Sequence, residues 1–171
     1  MTPAINTSRL VLRPLVKATQ RQVDWLRDSR VVEFSEQRHQ VHSLATQLNY
    51  IRSLPEGSHI WSIHDAVTDR HVGNITATAD LPNNVCDLSL LIGDRALWGK
   101  GLATEAWKAA TAWLLDKHDG GFRKVEAGCM ALNLAMKRVL FHAGFKFEGE
   151  RKNHFICNSQ VSGAAYYGRF R

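Results

Sequence analysis

The feature that most constrains this chain lies near its middle. Val85-Cys-Asp-Leu-Ser-Leu-Leu-Ile92 reads as a strand, followed by a short polar loop, Gly93-Asp-Arg-Ala-Leu97, and then Trp98-Gly-Lys-Gly-Leu-Ala-Thr104. After it Leu102, Ala106, Ala109, Ala110, Trp113 and Leu114 recur at i, i+4, i+7, i+8, i+11 and i+12, one face of a long helix. Lys117 and His118 suit its C-terminal end, and Gly120-Gly121 a left-handed stop. A strand feeding a glycine-rich turn and a helix start presents unpaired backbone amides to a bound anion, and glycine lets the backbone come close. Counting residues tests two known phosphate loops. A P-loop needs Gly, four residues, then Gly-Lys-Ser/Thr, but Trp98 stands at the fifth place after Gly93, and Gly101 follows Lys100. A dinucleotide fingerprint needs a third glycine where Thr104 stands. Neither fits.

Around this block the chain alternates its structural signals. Ser8-Arg-Leu-Val-Leu-Arg13 reads as a strand stopped by Pro14. The spacing of Val23, Leu26 and Val31 predicts a helix within 18–30, and 44–54 predicts another. Ile60–Ile63 and Arg70–Thr78 read as antiparallel neighbours joined by a turn at Thr68-Asp69, and Pro82-Asn83-Asn84 makes the next turn. Beyond the long helix, Phe122–Gly128 reads as a strand. Asn133 is placed to cap a helix carrying Met136, Val139, Leu140 and Ala143, with Gly144 as its stop. Phe145–Arg151 and Ala164–Phe170 are the last expected strands. This order predicts an α+β domain with a mixed sheet, one domain over 1–171.

Composition narrows the functional classes. With 44% apolar and 22% charged residues the chain has enough material for a core and is no disordered segment. Its apolar runs are too short to span a bilayer, so no membrane partner is expected. Residues 1–15 alternate and carry Arg9 and Arg13 where a secretory leader needs an apolar stretch. Cys86, Cys129 and Cys157 stand far apart, an odd number without a Cys-x-x-Cys pair, which fits a reducing compartment. The expectation is a cytoplasmic protein used whole. A net charge of +6 favours anionic ligands. The basic residues are scattered, though, so direct nucleic-acid binding is not expected.

The run Trp98-Gly-Lys-Gly-Leu-Ala103 resembles the coenzyme A loop of the GNAT acyltransferase superfamily, and Trp98–Ala106 resembles the form used by its RimJ/RimL branch. Thr7-Ser-Arg-Leu-Val-Leu-Arg-Pro14, Val72-Gly-Asn-Ile75, Asn133 through Gly144-Phe-Lys-Phe-Glu-Gly149, and Tyr166-Tyr-Gly-Arg-Phe170 are similar to further blocks of that branch, in the same order. The resemblance covers almost the whole chain. It implies a mixed, mostly antiparallel central sheet of about seven strands, splayed at the cofactor cleft and flanked by about four helices. It also implies an N-acetyltransferase that passes an acetyl group from acetyl-CoA directly to a primary amine, without a metal.

Residue by residue, the resemblance implies that Leu91 and Ile92 bond the pantetheine arm through their backbones. Gly99, Lys100, Gly101, Leu102, Ala103 and Thr104 would cradle the pyrophosphate. Asn133 would contact the donor, with Arg138 near its phosphates; the plain alternatives are a helix cap and a solvated face. Attack on the thioester needs a neutral amine, and an ammonium with a pKa near ~10 must first lose its proton. Asp87 is the candidate base, because alternation places residues 87, 89 and 91 on one face leading toward the donor; an ordinary solvated acid is the alternative. Glu33-Phe-Ser-Glu-Gln-Arg-His39 falls where the family places its acceptor wall, with Glu36 and His39 as candidate amine contacts, against an ordinary polar loop. His39 and His42 lack an evident third ligand for a metal. Cys129 lacks an assignable base for covalent chemistry. Trp25, Trp61, Trp107 and Trp113 read as core, and Trp98 as a flank of the donor loop.

The chain departs from the family pattern at the acid. The tyrosine found in many members seven residues after the helix-start asparagine is Leu140 here, and the serine three residues after it is Met136. These departures lend weight to an alternative, a non-catalytic acyl-CoA-binding module of the same fold. The acceptor is a protein N-terminus, a small amine or a nucleotide-linked amino sugar, and the sequence does not choose among them. The oligomeric state stays open, with a homodimer among the expectations.

Overall fold

The computed structural model describes residues 2–116 and 120–171, so Lys117 and His118 lie outside the described residues. Its centre is an eight-stranded sheet of order β1-β2-β3-β4-β5-β6-β8-β7. The strands are β1 (Ile5–Asn6), β2 (Leu10–Pro14), β3 (His59–Asp65), β4 (His71–Asp80), β5 (Val85–Ile92), β6 (Lys124–Met130), β7 (Lys146–Cys157) and β8 (Gln160–Phe170). All neighbours are antiparallel except β5 and β6, which are parallel. The helices among the described residues are α1 (Gln20–Arg27), α2 (Leu44–Ser53), α3 (Leu102–Asp116) and α4 (Leu134–His142). The expected α+β fold is therefore present, with the two-residue strand β1 added at the edge.

The single parallel pairing follows from α3. A parallel neighbour requires a crossover, and α3 carries the chain from the end of β5 back to the start of β6. Its buried side chains are Leu102, Ala106, Trp107, Ala110, Thr111, Leu114 and Leu115, an arc rotated by one residue from the stripe read in the sequence. The rotation has a packing cause. Trp107 is fully enclosed against Phe145, while Trp113 is only half-buried and meets Trp61 edge-on with ring centroids 5.7 Å apart. Leu10, Leu12, Trp61, Ile63, Val72, Ile75, Leu88 and Val125 complete the core beneath α3.

The other helices begin at capping residues, and α1, expected within 18–30, spans only Gln20–Arg27. Thr19 accepts from Gln22 N–H before α1, Ser43 and Thr46 form a reciprocal capping box before α2, and Asn133 accepts from Met136 N–H before α4. The last strands run longer than their sequence suggests. β7 extends to Cys157 and returns as β8 through Asn158 and Ser159, both at positive φ (51° and 62°). That is the signature of a two-residue hairpin turn. The polar run Arg151-Lys-Asn-His154 hid the strand because it sits at a bulge, where Asn153 takes φ 53° and the register shifts.

Candidate active site

The strand pairing opens a gap in the middle of the sheet. β5 and β6 are joined only through Val85↔Lys124, Cys86↔Val125 and Asp87↔Glu126. Beyond that rung β5 continues with β4 as far as Ile92↔Gly73, and β6 continues with β8 as far as Met130↔Ala164. Residues 88–92 and 127–130 therefore each keep one backbone edge without a strand partner. Alternation decides which groups face the opening. Gly93 N–H donates to Val72 O, and Arg123 N–H donates to Asn84 O. Odd-numbered residues of β5 therefore turn their backbone toward β4, and even-numbered ones toward β6. Leu88, Leu90 and Ile92 face the gap; Leu91, opposite Asn74, faces β4. Of the two residues expected to hold the pantetheine arm through their backbones, only Ile92 is turned to the opening, since strand neighbours cannot both be. The Ile92 carbonyl already accepts the Trp98 indole N–H at 2.8 Å, which fixes Trp98 beside the loop it was expected to flank.

At the far end of the gap the chain makes the glycine-rich turn. A short 3-10 turn at Arg95–Leu97 ends at Trp98, and Gly99 and Gly101 adopt φ 75° and 79°, a left-handed conformation that side chains other than glycine resist. The first helical bond runs from Glu105 N–H to Gly101 O at 3.1 Å. The amides of Leu102, Ala103 and Thr104 are thereby left at the α3 N-terminus without an intrahelical acceptor. Gly99, Lys100 and Gly101 are exposed. The turn is supported from below at Gly93, where a side chain would run into the Trp25 ring.

Asp87 stands at the last rung before the strands part, side by side with Glu126. Water reaches its carboxylate, yet protein crowds it on the remaining sides. That desolvation, reinforced by the neighbouring Glu126 charge, raises its pKa from the ordinary 3.8 to about 6. Glu126 is held by Lys124 Nζ at 2.9 Å, and the same ammonium bonds Glu148 at 2.7 Å. Two residues further along β6 the Tyr166 ring lies 3.4 Å from where a Gly128 side chain would begin, and Arg151 stacks over that ring at 5.2 Å. Glu126, Lys124 and Tyr166 were not singled out by sequence reasoning. Alternation along Lys124-Val-Glu126-Ala-Gly128 marks a polar face, but only the parallel register shows that it adjoins Asp87.

The remaining candidates are placed as follows. Asn133 caps α4 through Met136 N–H at 3.0 Å, and Arg138 lies on the exposed face of α4. Leu140 is fully buried, and Met136 packs against the core. Burial pushes the Cys129 thiol up in pKa, partly offset by Lys137, so it carries little thiolate. Glu36 and His39 belong to an exposed 3-10 turn, Glu36–His39. Arg38 pins that turn by donating to Ile156 O at 3.0 Å and contacting Met130 Sδ at 3.8 Å, while Glu36 pairs with Arg38 at 3.0 Å. The turn therefore sits by Met130, four residues along β6 from Glu126, roughly 13 Å at strand rise. The structure brings Asp87, Ile92 and the glycine turn to one gap and does not bring Glu36 or His39 to Asp87. His42 is buried, with its ring nitrogens bonded to Gln37 O and the Gln47 amide. No group of three His, Cys, Asp or Glu side chains suited to a metal occurs among the described residues. None of the described helices is long and apolar enough to cross a membrane.

Comparison with known proteins bears on this geometry. The family model described as "Acetyltransferase (GNAT) domain" matches residues 9–146. No curated protein sequence matches. Among solved structures, a GNAT-family acetyltransferase from Bacillus anthracis is 18% identical, with 98% of each chain covered and a TM-score of 0.77. The microcin C7 self-immunity acetyltransferase MccE, solved with acetyl-CoA and AMP, is 16% identical over 96% of this chain and 94% of its own, with a TM-score of 0.78. RimL, a ribosomal L7/L12 alpha-N-protein acetyltransferase solved with coenzyme A, is 17% identical over 98% of each chain, with a TM-score of 0.75. At such identities these structures establish the fold, and the family match spans most of the sequence. The chain thus belongs to the GNAT acetyltransferase family and is an acyltransferase.

Proposed function

We propose that the protein is a single-domain, acetyl-CoA-dependent N-acetyltransferase in which a primary amine attacks the thioester directly, within a ternary complex. The observation that carries this reading is the gap between β5 and β6, which opens one rung past Asp87↔Glu126 and ends at the glycine turn before α3. An extended donor laid in that gap meets the backbone of Leu88, Leu90 and Ile92 along its arm. Gly99, Lys100, Gly101, Leu102, Ala103 and Thr104 then hold its pyrophosphate. Asn133 and Arg138 on α4 complete the donor site. MccE and RimL, solved with acetyl-CoA and coenzyme A, support that choice of donor.

In this reading Asp87 takes the proton from the incoming ammonium. A carboxylate with a pKa near 6 is a better proton acceptor than an ordinary one and remains largely ionised at neutral pH. A gap-facing amide of β5 stabilises the oxyanion as the amine adds to the carbonyl. The carbon–sulfur bond then breaks, the thiolate leaves, and the nitrogen, positively charged after addition, gives its surplus proton to water to become the neutral amide. The position where many relatives carry a tyrosine acid is the enclosed Leu140, so the departing thiolate takes its proton from water or leaves without one.

The acceptor is a primary amine: a protein N-terminus, a small amine or a nucleotide-linked amino sugar. The turn carrying Glu36 and His39 contributes to its outer wall. RimL acts on a ribosomal protein, and a neighbour derived in part from a Vibrio cholerae enzyme is named a spermidine N-acetyltransferase. The net charge of +6 suits an anionic acceptor or one surrounded by nucleic acid. The three free cysteines suit a reducing cytoplasm.

Thermal unfolding with saturating acetyl-CoA, coenzyme A, ATP or NADH tests the donor. A ligand at a hundred times its dissociation constant adds ~2.7 kcal/mol, moving the midpoint by roughly 5–11 °C for a chain of this size. A rise with acetyl-CoA and coenzyme A alone is expected. No rise with either in folded protein overturns the reading. A screen of amines by thiol release then identifies the acceptor.

A further inference from the structure

The N-terminal strands reach the glycine turn through Arg9. The tight turn between β1 and β2 places Thr7, Ser8 and Arg9 against Glu105 in the first turn of α3. One oxygen of Glu105 accepts from the Thr7 hydroxyl (2.7 Å), the Ser8 hydroxyl (3.0 Å) and the Arg9 amide (2.8 Å). The other accepts from Arg9 Nε at 2.6 Å. The same guanidinium donates from Nη1 to the carbonyl of Lys100, inside the glycine turn, at 2.9 Å. Its Nη2 lies 3.6 Å from where a Gly101 side chain would begin, and about half of the Arg9 side chain is open to solvent.

This arrangement resolves an electrostatic conflict. A carboxylate in the first turn suits the helix dipole, but it sets negative charge beside the amides that must receive an anion. Arg9 cancels that charge and ties down the Lys100 carbonyl, keeping its oxygen from competing for the space in front of Leu102, Ala103 and Thr104. A planar guanidinium can bond Glu105 and Lys100 at once and still offer N–H groups on its open edge. A lysine ammonium has three donors on a single nitrogen and lacks that planar fork.

We propose that Arg9 is a donor-binding residue, fixing the glycine turn and presenting its open guanidinium edge to the phosphates of acyl-CoA. The inference rests on the glycine turn being the pyrophosphate cradle. It assigns to the N-terminal strand a part in recognising the nucleotide half of the donor and none in recognising the acyl arm.

The test compares wild type, Arg9→Ala and Arg9→Lys with two donors, acetyl-CoA and S-acetylpantetheine, which keeps the thioester arm and lacks the nucleotide phosphates. Coenzyme A binding by calorimetry and ligand-free unfolding midpoints accompany the kinetics. Arg9→Ala is expected to weaken coenzyme A binding and raise the acetyl-CoA KM by about tenfold or more, with kcat at saturation retained. Its kinetics with S-acetylpantetheine should match wild type. Arg9→Lys should fall between the two, since it keeps the charge and loses the fork; if Arg9→Ala does not fold, Arg9→Lys carries the test alone. Unchanged coenzyme A affinity in the folded variant overturns the inference while leaving the donor reading intact. Equal losses with both donors also overturn it, by showing a structural role only. Failure of wild type itself to bind coenzyme A would remove the reading beneath it.

Discussion

Replacing Asp87 by Asn should move activity and stability in opposite directions. In the folded chain the Asp87 carboxyl titrates near pH 6, against an ordinary value of 3.8, because desolvation and then the Glu126 charge disfavour its ionised form. The sign follows from linkage. Below the ordinary value both states are protonated and the residue is neutral to stability. As pH rises from about 4 to 6 the unfolded chain ionises first, so stability is lost across that window and stays lost above it. A shift of about two pH units corresponds to about 3 kcal/mol in dry surroundings. Water reaches this carboxylate, and screening reduces the recoverable part to about 1 kcal/mol. At pH 8, Asp87→Asn should therefore unfold about 2–4 °C higher than wild type, with the difference vanishing by about pH 4. Its kcat/KM should fall by about 10²–10⁴-fold, the usual contribution of a positioned base. Scanning calorimetry across pH, paired with a thiol-release assay, reads both. A variant that turns over like wild type refutes the assignment of the base. A lower unfolding midpoint at pH 8 refutes the electrostatic account of the site.

The other predictions concern the frame around that carboxylate. Glu126→Gln removes the like charge beside Asp87, so the acid limb of the kcat/KM profile should move below pH 6; a limb that stays put or moves up contradicts the pairing. Gly93→Ala drives a methyl group into the Trp25 ring and should cost about 1–3 kcal/mol, read as a drop in urea midpoint, with no drop if that contact is absent in solution. Asn133→Ala loses the α4 cap for about 1 kcal/mol, and a raised acetyl-CoA KM on top of that loss would separate donor contact from plain capping. Burial alone would raise the pKa of Glu105, but bonds from Thr7, Arg9 and Ser8 outweigh it and bring it to about 2. Its stabilising effect is complete above pH 4.5 and lost as pH falls toward 2, so Glu105→Gln should flatten the acid-unfolding curve over that range.

How far the sequence reached depended on whether a feature is local. The bounds of β5, the Asn133 cap of α4 and the glycine-rich turn before α3 all follow from neighbours within a few residues, and each was legible. The full length of β7 was not, because Arg151-Lys-Asn-His154 is polar on both faces and breaks its alternation at a bulge. The turn that reveals the hairpin is Asn158-Ser159, a weaker signal than Asn-Gly. The arc of α3 was off by one residue because Trp107 and Trp113 pack against different partners, Trp107 against Phe145 and Trp113 against Trp61. Phe145 lies far along the chain, so this contact has no local signal in the sequence.

The site itself was half legible, and the missing half is topological. Leu88 and Leu90 alternate in the same way whether or not a strand lies beside them, so nothing local shows that β6 departs after Asp87. Under the proposed mechanism, the departure also bears on the question raised by Leu140 and Met136. Those positions lie on α4 against the core, and Leu140 has no exposed surface to offer a leaving group. A proton donor there would have to be built into a closed interior. The gap, by contrast, is flanked by Asp87, which solvent reaches, and by the partly open Tyr166. A thiolate leaving along such an edge meets water without help from α4. Loss of the usual acid is thus compatible with the proposed turnover, in which the demand falls instead on the proposed base Asp87, the one charged side chain that the β5 strand places at the mouth of the gap.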